Sequence, residues 1–372
     1  MLEWTEDGAS RSARWRSENG TPPPRRVEIA DDRTTADTAF RLASQGTALL
    51  WRGDFQNARQ LLKALARRID RKPKRKKDVP NRALAFHLHR QAQAQRARML
   101  GMVLIPFDAG HTVPLRRAPD VRQACLEAYG PSDEPYVASL RELLGLIGAH
   151  EWRRNGVPIT ALDGDRIHPH YGVFSPVRGE YIDLLAKAPL PATTLAYDIG
   201  TGTGVLAAVL ARRGVDRVVA TDQEPRALAC AHENVVRLDL TDRVDIVEAD
   251  LFPPGRAPLV VCNPPWVPAR PSSPLEHAVY DPDSRMLRGF LAGLPDHLTP
   301  DGEGWLIMSD LAEHLGLRSP SDLPSAIESA GLRVLDRLDT RPTHPRASDP
   351  DDPFHAARTA ETTSLYRLTP SP

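Results

Sequence analysis

From residue 190 onward, short apolar runs alternate with amphipathic stretches. The runs at 194–199, 216–222, 243–248, 258–262, 303–309, 332–339 and 362–369 have strand length and strand composition. Between them, residues 203–213, 224–238, 284–298 and 321–330 carry apolar positions at helical spacing. Such alternation predicts a largely parallel sheet with helices on both faces. Only a polar loop at 340–361 separates the last two strands, so they are expected to form an antiparallel edge pair.

Upstream the pattern changes. Residues 34–150 read as an α-helical N-terminal domain suited to substrate recognition. Thr34, Thr35 and Asp37 can cap a first helix running toward Trp51. Gly53-Asp54 starts a second, with Leu61, Leu65 and Ile69 on one face. A third spans Arg82 to Leu100 and ends at Gly101, and others are expected at 119–129 and 133–149. Residues 1–33 are polar, charged and proline-bearing, which predicts a disordered tail. Residues 151–190 read as a bridge. Val157–Leu162 and Tyr171–Phe174 are expected as short strands around Asp163-Gly164-Asp165, and Glu180–Lys187 as a helix leading into the α/β domain at 191–372.

Composition changes this picture little. The 372 residues suffice for two domains, and 48 basic against 48 acidic residues point to no class of partner. One local exception is Arg71-Lys72-Pro73-Lys74-Arg75-Lys76-Lys77, a run suited to phosphate contact. It has no aromatic residue, so it would hold a nucleic acid backbone without reading sequence. The three cysteines, Cys125, Cys230 and Cys262, are widely spaced, and fit neither a disulfide framework nor a metal site. A cytoplasmic setting is expected, and no segment reads as a signal peptide or a membrane span.

Candidate chemistry concentrates at predicted strand ends. Asp198-Ile199-Gly200-Thr201-Gly202-Thr203-Gly204 follows one strand and opens a helix. Glycines there allow positive φ and close approach of a ligand to the backbone. A dinucleotide fingerprint wants glycine or alanine at position 205, where this chain has Val205, so a single nucleoside fits better. Asp222 ends the next strand and can accept from a ribose diol. Asp250 ends the third, placed for an adenine amine, with Leu251 against the base. Asn263-Pro264-Pro265-Trp266 ends the fourth. The Asn263 side-chain oxygen and the Pro264 carbonyl can accept the two hydrogens of a planar amine or amide. The prolines stiffen the loop, and Trp266 offers a flat ring for stacking. His168 and His170 lack further ligands at metal spacing.

These residues resemble class I S-adenosylmethionine-dependent methyltransferases, over roughly residues 165–372. Asp198 to Gly204 is similar to the cofactor loop, Asp222 to the ribose-binding acid and Asp250 to the adenine-side acid. Asn263-Pro264-Pro265-Trp266 is similar to the Asn-Pro-Pro-aromatic motif of the amino-methylating branch, which includes enzymes of the small-domain and release-factor glutamine methyltransferase kind. Val173 to Glu180 is similar in placement to the stretch that closes over the cofactor there. The resemblance implies a Rossmann-like seven-stranded α/β sheet and S-adenosylmethionine held by Asp198, Gly200, Thr201, Gly202, Gly204, Asp222, Asp250, Leu251 and Asn263. It implies catalysis by Asn263, Pro264, Pro265 and Trp266, without a metal. The acceptor expected first is an exocyclic amine of a nucleic acid base, with RNA favoured. The alternative is a side-chain amide or amine of a translation-related protein. Tryptophan at 266 departs from the more usual tyrosine or phenylalanine, and Val177-Arg178-Gly179-Glu180 departs from the Arg-Pro-x-Thr-Glu run of the release-factor enzymes.

Overall fold

The computed structural model describes residues 1–71, 81–271, 274–343 and 349–372, and the basic run at Lys72–Lys77 lies outside them. The chain divides into two compact units, Met1–Glu151 and Trp152–Pro372. Among the described residues no helix is long and apolar enough to cross a membrane.

The first unit is an α/β structure, not a helical one. Its strands are β1 (Leu2–Glu6), β2 (Ala9–Trp15), β3 (Arg26–Ala30), β4 (Thr47–Trp51), β5 (Val103–Phe107) and β6 (Tyr136–Ser139). They form one mixed sheet in the order β1-β2-β6-β5-β4-β3. Its helices are α1 (Ala36–Ser44), α2 (Phe55–Asp70), α3 (Arg82–Leu100), α4 (Arg122–Tyr129) and α5 (Leu140–Asn155), which runs across the boundary. Expected caps are present: the Thr35 side chain accepts from Thr38 N–H, and Asp54 accepts from Gln56 N–H.

Two expectations fail here for a physical reason. Residues 1–33 supply three strands: Asp7-Gly8, with φ of 51° and 77°, turns β1 into β2 as an antiparallel hairpin, and β3 pairs in parallel with β4. The segment before Trp51 is a strand because Thr47–Trp51 is buried at every position, a five-residue apolar run too short to reveal its period.

The second unit carries the predicted sheet almost residue for residue. β7 (Val157–Pro158) and β8 (Arg166–Ile167) form a small antiparallel pair, followed by α6 (Glu180–Lys187). Residues 171–174, expected as a strand, form none, and Arg166–Ile167 takes that pairing instead. Then come β9 (Leu195–Ile199), α7 (Val205–Arg212), β10 (Arg217–Asp222), α8 (Pro225–Arg237), β11 (Val244–Glu248), β12 (Ala257–Cys262), α9 (Arg285–His297) and β13 (Leu298–Ser309). After α10 (Leu311–His314) and α11 (Asp322–Ser329) follow β14 (Leu332–Thr340), α12 (His355–Ala360) and β15 (Thr363–Pro370). The sheet order is β11-β10-β9-β12-β13-β15-β14. Strands β9 to β13 are mutually parallel, and β15 runs antiparallel between β13 and β14. One core packs α6 and α7 against the sheet, and another packs α9 and α11 against the opposite face. The central strands β9 and β12 and the second half of β13 are therefore buried on both sides, which is why they read as continuous apolar runs.

Candidate active site

Strand register builds the site. Ile199 pairs with Thr221 on one side and with Cys262 on the other. The next residues, Gly200, Asp222 and Asn263, therefore leave three neighbouring strands at the same height. Ligands of open α/β sheets bind at this carboxyl edge.

Gly200 sits at φ 70°, and a Cβ there would meet the Met286 methyl at 2.4 Å. Gly204 sits at φ 80°, with Ala231 backbone 3.3 Å from the corresponding position. No other residue type meets both demands without strain. Asp198 is 1% exposed and is committed to this loop. Its Oδ2 accepts from the Thr201 hydroxyl at 2.6 Å and from Ala207 N–H at 3.1 Å. Burial raises its pKa to about 6. The two hydrogen bonds pull the other way, and the Asp222 charge adds to the rise.

Asp222 turns both oxygens to the mouth of this loop. Oδ2 accepts from Gly202 N–H and Oδ1 from Glu224 N–H, each at 3.0 Å. Each oxygen keeps a lone pair for a diol. Asp250 is solvent-exposed and faces Arg285 at 3.3 Å. Leu251 holds φ 75°, rare for a leucine, while its carbonyl accepts from the Thr221 hydroxyl at 2.6 Å. Such a backbone costs on the order of 1–3 kcal/mol and marks ligand clamps.

Asn263 and Trp266 are joined directly: the indole Nε1–H donates to Asn263 Oδ1 at 2.9 Å. Pro264 is buried and Pro265 half-buried. Trp266 packs against both hydrophobic cores. The Arg178 guanidinium lies over its ring, 5.3 Å from the centroid. Cys262 is fully buried, and burial drives its thiol pKa well up, so it packs and does not react.

Two roles here have no local signature in the sequence. Asp281 is buried and caps α9, accepting from Met286 N–H at 3.0 Å and Leu287 N–H at 3.2 Å. It thereby sets Met286 against Gly200. Arg178 bridges Glu180 at 2.8 Å and Glu361 at 3.0 Å, both buried. His168 and His170 are structural: His168 Nδ1 meets the Arg153 carbonyl at 2.6 Å, and His170 Nε2 meets Glu233 at 2.7 Å.

Residues 166–318 match the family model described as methyltransferase small domain. This stretch contains the glycine loop, Asp222, Asp250 and the Asn263–Trp266 segment. The second unit thus contains a stretch similar to the methyltransferase small domain. The methyl donor of that family is S-adenosylmethionine, and the open glycine loop, the doubly oriented Asp222 and the left-handed Leu251 fit a nucleoside of its kind.

The chain is 33% identical over 181 residues to a release factor glutamine methyltransferase of Cereibacter sphaeroides, covering 44% of this chain and 63% of that one. It is 27% identical over 244 residues to a ribosomal protein L11 methyltransferase of Sorangium cellulosum, 58% of this chain and 68% of the relative. It is 39% identical over 84 residues to a tRNA1(Val) (adenine(37)-N6)-methyltransferase of Vibrio parahaemolyticus, 22% and 34% of the two chains. The match thus spans less than two thirds of the first and third of these relatives. The chain is thus similar to relatives named as methyltransferases of proteins and of a tRNA.

Proposed function

We propose that this protein transfers a methyl group from S-adenosylmethionine to a nitrogen of a planar acceptor in the translation machinery. The observation that carries the reading is the register that sets the glycine loop, Asp222 and Asn263 side by side at one sheet edge. The donor supplies an electrophilic methyl on a sulfonium.

The protein's part is binding and orientation. Asp198 holds the loop through Thr201 and Ala207. Gly202, with nothing within 4 Å of its Cβ position, leaves room above it. Asp222 takes the ribose diol, and Asp250 with Leu251 bounds the base. An amide or aryl amine nitrogen is a poor nucleophile because its lone pair is delocalised. The Asn263 oxygen and the Pro264 carbonyl accept its two hydrogens and favour a pyramidal nitrogen aimed at the methyl. The lone pair of Asn263 Oδ1 not held by Trp266 is the one available to the acceptor. The proton leaves nitrogen after the methyl has arrived, since asparagine is no base.

Two acceptor classes fit this geometry. An exocyclic amine of RNA, the acceptor expected first from the sequence, rests on the basic run, which lies outside the described residues. A protein side-chain amide is the second reading. It is favoured by the longer alignment to the release factor glutamine methyltransferase. Labelled methyl transfer into extract of a strain lacking the protein, split into DNA, RNA and protein, tests both. Label in the RNA fraction supports the first and label in protein the second. Label in none, with S-adenosylhomocysteine failing to bind, would falsify the methyltransferase assignment.

A further inference from the structure

Trp266 does not stand alone in this structure. Its indole Nε1–H holds Asn263 Oδ1 at 2.9 Å. Its ring is covered by Arg178, whose Cζ lies 5.3 Å from the centroid. Arg178 in turn is fixed from two sides. Its Nε donates to Glu180 Oε1 at 2.8 Å and its Nη2 to Glu361 Oε1 at 3.0 Å. The Ser309 hydroxyl donates to that same Glu361 oxygen at 2.7 Å. Ser309 ends β13, and Thr363, two residues after Glu361, pairs with it. The whole chain of contacts therefore lies at the carboxyl edge that carries the methyl-transfer site.

Stability alone does not account for this arrangement. Glu180 is 5% exposed and Glu361 not exposed at all. Two carboxylates share one guanidinium, and Oε2 of each is buried without a hydrogen-bond partner among the described residues. A buried ionic cluster with orphan oxygens is generally no more stable than apolar residues of the same volume. What the cluster does supply is a rigid guanidinium plane, and that plane rests on the one ring that is bonded to the catalytic amide.

We infer that Arg178, clamped by Glu180 and Glu361, is a positioning residue that sets Trp266 and through it the orientation of the Asn263 amide. This rests on the methyl-transfer reading of Asn263. A side-chain amide can turn over and present NH2 in place of oxygen, and a donor at that point would repel an acceptor N–H. The indole N–H disfavours the turned form, because its partner here is Oδ1 and a turned amide would set NH2 against it. A phenylalanine at 266 has the ring and no N–H, and a tyrosine carries its hydroxyl at the far tip. Tryptophan at this position is thus a functional departure, and Arg178 is the residue that keeps the indole in place.

The test uses the full chain, 15N-labelled and saturated with S-adenosylhomocysteine. The Trp266 indole signal is assigned as the one lost in Trp266→Phe. Arg178→Met should speed exchange of that indole proton by about tenfold or more and move the Asn263 side-chain amide signals. S-adenosylhomocysteine affinity should change by less than about threefold, while labelled transfer into the extract falls about tenfold or more. Glu361→Gln keeps an oxygen for Arg178 and Ser309 and should stay close to the parent in both exchange and transfer, whereas Glu361→Ala should follow Arg178→Met. Unchanged indole exchange in Arg178→Met, or unchanged transfer by Trp266→Phe, overturns the inference. So does a loss of S-adenosylhomocysteine binding in Arg178→Met, which would place Arg178 at the donor. If the unaltered chain neither binds S-adenosylhomocysteine nor transfers label, the methyltransferase reading itself has failed.

Discussion

At the residue scale, burial of Asp198 makes the stability of the protein depend on pH. Its pKa rises from 3.8 to about 6, so the folded state binds a proton more tightly than the unfolded chain. Its contribution to stability is therefore complete below about pH 4, is lost as pH rises toward 6, and is constant above that. Against Asp198→Asn, the parent protein should lose roughly 3 kcal/mol or less over that interval. Denaturant unfolding at a series of pH values checks this, and parallel curves would contradict it. Asp222 makes a different prediction. Asp222→Ala should weaken S-adenosylhomocysteine by about tenfold or more in calorimetry, because a diol loses a charged acceptor. Asn263→Ala should abolish nearly all labelled transfer yet bind S-adenosylhomocysteine normally. Normal turnover by that variant would remove the orienting role of Asn263.

At the scale of elements, α9 is the one whose placement matters most. Its first turn is held by Asp281, and its Met286 reaches the face of Gly200. Asp281→Ala should cost about 1–2 kcal/mol as a lost cap. It should also free Met286, so that donor binding weakens together with thermal stability. A drop in melting temperature with unaltered affinity would separate the cap from the donor site.

The central sheet elements were legible because β9, β12 and the second half of β13 are buried on both faces, and continuous apolar runs are what such strands require. Asp198 and Asp222 each stand out against an apolar run at a strand end, whereas Asp250 lies two residues past β11. The N-terminal strands were not. Residues 9–15 read Ala-Ser-Arg-Ser-Ala-Arg-Trp, and their strand has no buried position, so no apolar pattern records it. Asp7-Gly8 was the signal available there. Arg178 and Glu361 were illegible for another reason. They are separated by 183 residues, and no local spacing announces a contact of that range.

At the scale of the whole molecule, the residues assigned to the donor, Asp198 to Asn263, all belong to one compact unit. A fragment beginning at Trp152 should bind S-adenosylhomocysteine within about threefold of the full chain, by calorimetry. Failure of a folded fragment to bind would give the first unit a part in the donor site.

The placement of β15 has a temporal consequence. Thr363–Pro370 fills the interior slot between β13 and β14, and Glu361 immediately ahead of it completes the clamp on Arg178. During synthesis these residues emerge after every other strand of the domain. Until then β13 keeps one edge unpaired, β14 lacks the strand that ties it to the sheet, and Arg178 lacks its Glu361 partner. A nascent chain stalled short of residue 361 already contains the glycine loop and should lack the clamp proposed for Arg178. Such an intermediate should be cut by protease faster than the complete domain, and on the methyl-transfer reading proposed above it should transfer no label.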